Sequence, residues 1–207
     1  MLVVGLTGGV ASGKTAVSRI WREEGAYLID ADQIARELVQ PDMPAWHELQ
    51  RAFGQEILQE DGSVDRRRLA KKVFSDPGQR DLLNRILHPR IKAEVARRVE
   101  EISRRDPDAI VVVDAALLIE TGDYKEMDRL VLVTSTEEQQ IQRLRSRDGI
   151  TVEEAEKVLS AQMSLEEKLK VADFIIRNEG SLEETNVRAR EVFKELKRIA
   201  LIRESKA

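Results

Sequence analysis

Gly8-Gly9-Val10-Ala11-Ser12-Gly13-Lys14-Thr15 lies between a run that reads as a strand and a run that reads as a helix. The run before it, Leu2-Val3-Val4-Gly5-Leu6-Thr7, is short and apolar, as a buried strand is. In the run after it, Ala16, Val17, Ile20 and Trp21 share one helical face, and Gly25 is the stop. Gly-x4-Gly-Lys-Thr in that context is the pattern of a phosphate-binding loop. Glycines let backbone N–H groups turn inward around phosphate oxygens. The new helix aims its N-terminal dipole at the same anion. Lys14 supplies a cation for the outer phosphates, and the Thr15 hydroxyl is a hard oxygen ligand for Mg²⁺. With glycine at about 7% of residues, the bare pattern arises by chance in on the order of one percent of chains this long. The flanking strand and helix therefore carry the assignment.

The length of 207 residues suits one sizeable α/β domain or a core with a small insertion. Hydrophobic residues at 42% and charged residues at 35% fit a globular protein. A net charge of −4 gives no reason to expect a nucleic-acid partner. The absence of cysteine excludes disulfides and thiolate metal sites. No apolar run approaches the roughly 20 residues of a membrane span, so no membrane partner is expected. No basic segment precedes the first apolar run, so no signal peptide is expected and a cytoplasmic location is.

Ala26 to Asp30 reads as a second strand, with Asp30-Ala31-Asp32 at its carboxyl end. Open α/β sheets bind ligands outside the carboxyl ends of their strands, so Asp32 falls on the same edge as Lys14. Capping the helix that runs to Val39 is the ordinary job for Asp30 or Asp32. Beside a phosphate loop, a carboxylate that takes a hydroxyl proton is the preferred reading of Asp32. Residues 41 to 105 are helical in pattern. One helix opens at Pro44 with Ala45, Trp46, Leu49 and Phe53 on a stripe; a second carries Leu69, Val73 and Phe74 and stops at Asp76-Pro77. A third carries Leu82, Leu83, Ile86 and Leu87, and a fourth starts at Pro89. So much helix exceeds a simple crossover and predicts an inserted subdomain with Trp46, Phe53 and Phe74 in its core. His88 reads as a cap or a packed residue at the start of the fourth helix, and His47 receives no role.

Ala109 to Asp114 is the clearest strand, β-branched throughout as in a sheet buried on both faces. Asp114 at its end is either the second acidic position of a phosphate-loop protein, holding Mg²⁺ directly or through water, or a cap. Leu130 to Thr134 is a fourth strand, and Ser135-x-x-Glu138 reads as a capping box. On the helix that follows, Arg143 and Arg147 are four apart and share a face. Thr151-x-x-Glu154 opens a helix reaching Gln162. This helical pair is either a lid over ATP, its arginines offsetting charge on the transferring phosphoryl group, or a solvated charged face. Val171 to Arg177 is a fifth strand; Asn178-Glu179-Gly180 turns out at the ligand edge, and Ser181-x-x-Glu184 caps the last helix.

Taken together these segments resemble the dephospho-CoA kinase family over nearly the whole length. The matching stretches are Gly5 to Gly9 leading into Ser12 to Thr15, Ile29 to Asp32, Asp61-Gly62-Ser63-Val64-Asp65-Arg66, Val73 to Asp76, His88-Pro89, Asp114 to Glu120, Arg147-Asp148-Gly149, Ala161-Gln162, and Ala172-Asp173 with Asn178-x-Gly180. The resemblance implies an α/β P-loop NTPase fold: a five-stranded parallel sheet flanked by helices, with core 1–40, 106–136 and 171–207, a helical acceptor-binding insertion 41–105 and a helical lid 137–170. It implies transfer of the ATP γ-phosphate to the ribose 3′-hydroxyl of dephospho-CoA, with Mg²⁺. ATP falls to Gly8, Gly9, Ala11, Ser12, Gly13, Lys14, Thr15 and Ala16, with Asn178 and Gly180 near adenine. Catalysis falls to Asp32, Lys14, Arg143 and Arg147, and the acceptor to Asp32, His88, Asp114, Leu117, Leu118 and Glu120. The Mg²⁺ ligand is Thr15, with Asp32 or Asp114 through water. Ala116 stands where the family usually has proline, which removes a fixed φ from that turn. Met163-Ser164 replaces another frequent proline, and Ser164-x-x-Glu167 restarts a helix there. Rival readings are another small-molecule kinase, a non-catalytic scaffold, and a GTP-binding switch; the switch needs an Asn-Lys-x-Asp after a strand, which the sequence lacks.

Overall fold

The apolar run ahead of the glycines is β1 (Leu2–Gly8), buried at every position but Val3. The computed structural model describes residues 1–204, and of Phe74, Ser75, Arg203 and Glu204 the backbone alone. The remaining elements are α1 (Lys14–Glu23), β2 (Tyr27–Asp30), α2 (Ala31–Leu38), α3 (Pro44–Phe53), α4 (Arg66–Ser75), α5 (Pro77–Arg105), β3 (Ile110–Asp114), β4 (Arg129–Thr134), α6 (Glu137–Asp148), α7 (Val152–Ser160), α8 (Leu165–Leu169), β5 (Phe174–Arg177) and α9 (Leu182–Glu204). The sheet order is β2-β3-β1-β4-β5. β1 runs parallel to β3, with Leu6 opposite Asp114, and to β4, with Gly8 opposite Val133; β4 runs parallel to β5. A sheet covered on both faces needs apolar side chains on both sides of each strand. β3 is buried throughout and β4 at every position after Arg129. This register makes the glycine loop and Asp114 leave the sheet on one edge.

The chain forms two compact units, Met1–Ile29 with Val99–Ala207, and Asp30–Arg98. In the first, α1 packs on α9. Trp21 is fully buried, its ring 5.9 Å from that of Phe193, and its indole N–H donates to the Ala189 carbonyl at 2.8 Å. Burying a large apolar side chain gains about 1.5–3 kcal/mol, so this contact anchors the helix that begins at Lys14. The second unit has its own core of Leu49, Phe53, Ile57, Val64, Leu69 and Ile86, with Trp46 packed on it. Trp46 and Phe53 are therefore core residues, as their spacing predicts; the Phe74 side chain lies outside the described residues. This second unit takes in α2, and Val39, just past that helix, packs on its core.

Several local expectations are corrected. The third and fourth helices are one, α5, which continues through Pro89. Pro77 sits at its first position, where the missing N–H costs nothing, and Asp76 caps it by accepting from Gly78 N at 2.8 Å. Proline in a helix interior costs about 3 kcal/mol. Here Leu82, Leu83, Ile86 and Leu87 of the same helix pack into the second core, and the Arg90 guanidinium donates to the Ile86 carbonyl in the disturbed turn. His88 consequently lies inside a helix, not at its start. The cap of α6 is Thr136 paired with Gln139, one residue later than expected, because Ser135 is buried at the end of β4. β5 begins only at Phe174, since Asp173 turns its carboxylate onto Leu130 N at 2.7 Å. The capping boxes at Thr151 and Ser164 form as predicted.

Candidate active site

The loop after β1 turns on two left-handed residues, Ala11 at φ 56° and Gly13 at φ 96°. Gly13 is the N-cap of α1, contributes no capping side chain, and is followed by no acid in the first turn. That helix pole is left for an external anion. Gly13 is required twice: its φ is one that side chains rarely adopt, and a Cβ there would run into Asn178 Nδ2. At Gly8 a Cβ would lie 2.6 Å from both Ser12 Oγ and the Val133 carbonyl.

Lys14 forms an ion pair with Asp114 from the end of β3. Asp114 is 7% exposed, and the segment after it is turn rather than helix, so there is no helix at that point for it to cap. Thr15 is exposed and its hydroxyl bonds to no described residue, which leaves it open to a cation. The Ser12 hydroxyl is buried and has no hydrogen-bond partner among the described residues. Among the described residues no cluster of His, Asp and Glu converges as a protein-only metal site.

Side chains remote in sequence hold the loop. Gln140 Nε2 donates to the Val10 carbonyl at 2.9 Å, and Gln162 Oε1 accepts from Val10 N at 3.0 Å. Arg143 donates to the carbonyls of Ala11 at 3.1 Å and Asn178 at 3.2 Å. Asn178 is buried, donates to the Ser12 carbonyl at 2.8 Å and accepts from Thr185 at 2.8 Å. Its side chain is thus spent on the loop itself. Gly180 has a local reason to be glycine, because a Cβ would meet the Glu184 carboxylate that caps Ser181 N at 2.7 Å. Gln140, and Gln162 as a loop ligand, are additions to what sequence reasoning gave. The available signal was that Gln140 stands one turn before Arg143 on the same face.

Among the described residues, Arg147 and Glu120 pair away from the loop, and the remaining candidates are placed as follows. Arg147 is exposed and makes a two-bond pair with Asp148 at 2.8 and 2.7 Å, which holds Asp148 below the usual carboxylate range. Leu118 is buried, and Leu117 is 51% exposed. Glu120 meets Lys168 at 2.7 Å as an ion pair, though its carboxylate makes no well-directed hydrogen bond. Lys168 itself is 3% exposed, so α8 is fastened to the end of the 114–120 segment. The Ala116 turn is tied down without its proline, since Thr7 Oγ1 donates to the Ala116 carbonyl at 3.1 Å. In the second unit, Asp30 takes the capping role by accepting from Gln33 N at 2.9 Å. Asp32, in the first turn of α2, is exposed and has no capping duty. His88 is half-buried in α5.

A family model described as dephospho-CoA kinase matches residues 2–184. Among relatives named dephospho-CoA kinase, one from Moorella thermoacetica is 42% identical over 96% of this chain and 93% of its own. One from Syntrophotalea carbinolica is 47% identical over 89% and 87%. A solved structure of a dephospho-CoA kinase from Campylobacter jejuni superimposes with a TM-score of 0.71 at 25% identity, covering 95% of this chain and 97% of that one. A crystal structure of a Bacteroides thetaiotaomicron shikimate kinase, at 16% identity and a TM-score of 0.52 over 94% and 98%, shares the fold. With a P-loop fold, an uncapped helix pole behind a glycine loop, and likeness of this extent along the sequence, the chain belongs to the dephospho-CoA kinase family.

Proposed function

We propose that the protein transfers the γ-phosphoryl group of ATP to the ribose 3′-hydroxyl of dephospho-CoA, giving coenzyme A. The single observation that carries this reading is the α1 pole: a loop held open by glycine, free of capping side chain and of acid, with Lys14 at its mouth. The triphosphate lies on the amides of Ala11 to Ala16, and Lys14 leaves Asp114 for the phosphate oxygens. Mg²⁺, held by Thr15 with Asp114 through water, would neutralise charge on the β- and γ-phosphates. The acceptor oxygen forms the new bond to the γ-phosphorus as the bond to the β–γ bridging oxygen breaks. Its proton passes to Asp32, whose freedom from capping supports the role.

Arg143, already on the loop, offsets charge there; Arg147 joins it only by exchanging Asp148 for phosphate. Residues 137–170 serve as the lid and 41–105 as the acceptor-binding insertion. Most of the rate enhancement then comes from positioning and electrostatics. The test is incubation with ATP, Mg²⁺ and dephospho-CoA, with the product phosphate located by NMR. A 3′-phosphate supports the reading. Phosphate transfer to other nucleosides alone would point to a different small-molecule kinase, and no transfer to any acceptor would point to a scaffold.

A further inference from the structure

The stretch Asp61 to Arg66 has no role in the chemistry above, yet its place in the second unit gives it one. Asp61 closes a turn by accepting from Ser63 N at 2.9 Å. Asp65 caps α4, accepting from the backbone of Arg67 and Arg68 at 3.0 Å each, and pairs with Arg68 Nε at 3.1 Å. Arg66, the first residue of α4, is thereby set beside α2. It lines a cavity of about 330 Å³ together with Asp32 and Arg36. Arg36 and Arg66 also line an adjoining cavity of about 510 Å³, whose rim carries Gln40, Gln59 and Arg67.

The charges in this place are not balanced. Arg68, Arg90, Arg97 and Arg98 of the same unit all find carboxylates. Arg36 and Arg66 pair with none among the described residues, and Asp65 is used up by its cap and by Arg68. Burial, with Arg36 beside it, pushes the Arg66 guanidinium below its usual range, while Asp32 pulls it back. Two crowded guanidiniums with one exposed carboxylate form a place that an anion stabilises. Asp32 and Arg36 stand four apart on α2, which puts them on one face with Cβ atoms about 5–6 Å apart. On a ribose, the 3′-hydroxyl and a 5′-phosphate hang from the same ring at a comparable spacing.

Resting on the reading of Asp32 as the residue that receives the 3′-hydroxyl, we propose that Arg36 and Arg66 form the subsite for the 5′-diphosphate of the acceptor. Guanidinium forks match phosphate oxygens in pairs, so the subsite selects a ribose that carries a 5′-diphosphate over a bare nucleoside. It also fixes the ring so that the 3′-oxygen meets Asp32.

The test compares Arg36→Gln and Arg66→Gln with the wild-type protein on dephospho-CoA, and on adenosine followed with γ-labelled ATP. For each variant the KM for dephospho-CoA is expected to rise about ten- to a hundredfold while the KM for ATP does not follow. The ratio of kcat/KM for dephospho-CoA to that for adenosine falls by a similar factor, and Arg36→Lys recovers part of it because charge is kept while the fork is lost. If the KM for dephospho-CoA stays put, or both acceptors decline in parallel with the KM for ATP, the subsite is overturned. Wild-type protein that ignores dephospho-CoA would instead overturn the parent activity, a result visible before any variant is made.

Discussion

Gly13 shows how one residue can be fixed from two directions. Its φ of 96° and the approach of Asn178 Nδ2 both exclude a side chain. Gly13→Ala is expected to destabilise the protein by roughly 1–3 kcal/mol from backbone strain alone and to weaken ATP binding, read by calorimetry. Removing the obstructing amide with Asn178→Ala should recover the steric part and leave the strain, which a double-mutant cycle separates. Asp32 makes the opposite case, a residue that the fold leaves idle because Asp30 does the capping. Asp32→Asn should lower kcat by about 10²–10⁴ with little change in the KM for ATP. Near-normal turnover would remove Asp32 from the chemistry.

At the scale of elements, α6 and the segment after α7 meet the phosphate loop through side chains, not through backbone pairing. The Val10 peptide is gripped at both ends, by Gln140 on its carbonyl and Gln162 on its N–H. Gln162→Ala removes an acceptor of a single neutral hydrogen bond, worth about 0.5–1.5 kcal/mol, so the KM for ATP should rise about two- to tenfold. Gln162→Glu keeps an acceptor for Val10 N but brings a negative charge to a loop built for an anion, so its KM for ATP should rise at least as far. The long helix α5 is tied by Glu94, which accepts from Arg97 and Arg98, and Arg98 continues to Glu37 on α2. Those hydrogen bonds hold the Glu94 carboxyl down from 4.5 to about 2. A depressed carboxyl contributes stability that is complete above its unfolded value and is lost as pH falls through the folded one. Urea midpoints should therefore decline between about pH 4.5 and 2, and Glu94→Gln should flatten that decline.

For the whole molecule, the existence of two separate cores bears on how a ligand stabilises it. ATP with Mg²⁺ at a hundred times its Kd contributes about 2.7 kcal/mol to the state that binds it. In a chain of this size that corresponds to a Tm increase of about 5–11 °C. If calorimetry resolves two transitions, the one belonging to the unit with the sheet should move and the other should not. Lys14→Met should abolish most of the increase. An equal shift in the variant would separate nucleotide binding from the Lys14 pole.

What the sequence alone determined is whatever a contiguous stretch can encode. The glycine loop, the buried strands, the cap pairs at Thr151 and Ser164 and the proline opening α3 depend on residues within a turn or two, where steric and hydrogen-bonding rules act directly. Likeness to a known family added the order of those stretches. Tertiary structure alone decided between roles that local chemistry left open: Asp30 as cap and Asp32 as free carboxylate, Asp114 as the partner of Lys14 one hundred positions away, Arg143 on the loop and Arg147 on Asp148. It also carried α5 through Pro89, because a packed apolar face outweighed a local breaker. Periodicity records which side of an element is apolar. It does not record what distant element meets that side, and those meetings are what give one aspartate or arginine a different fate from the next.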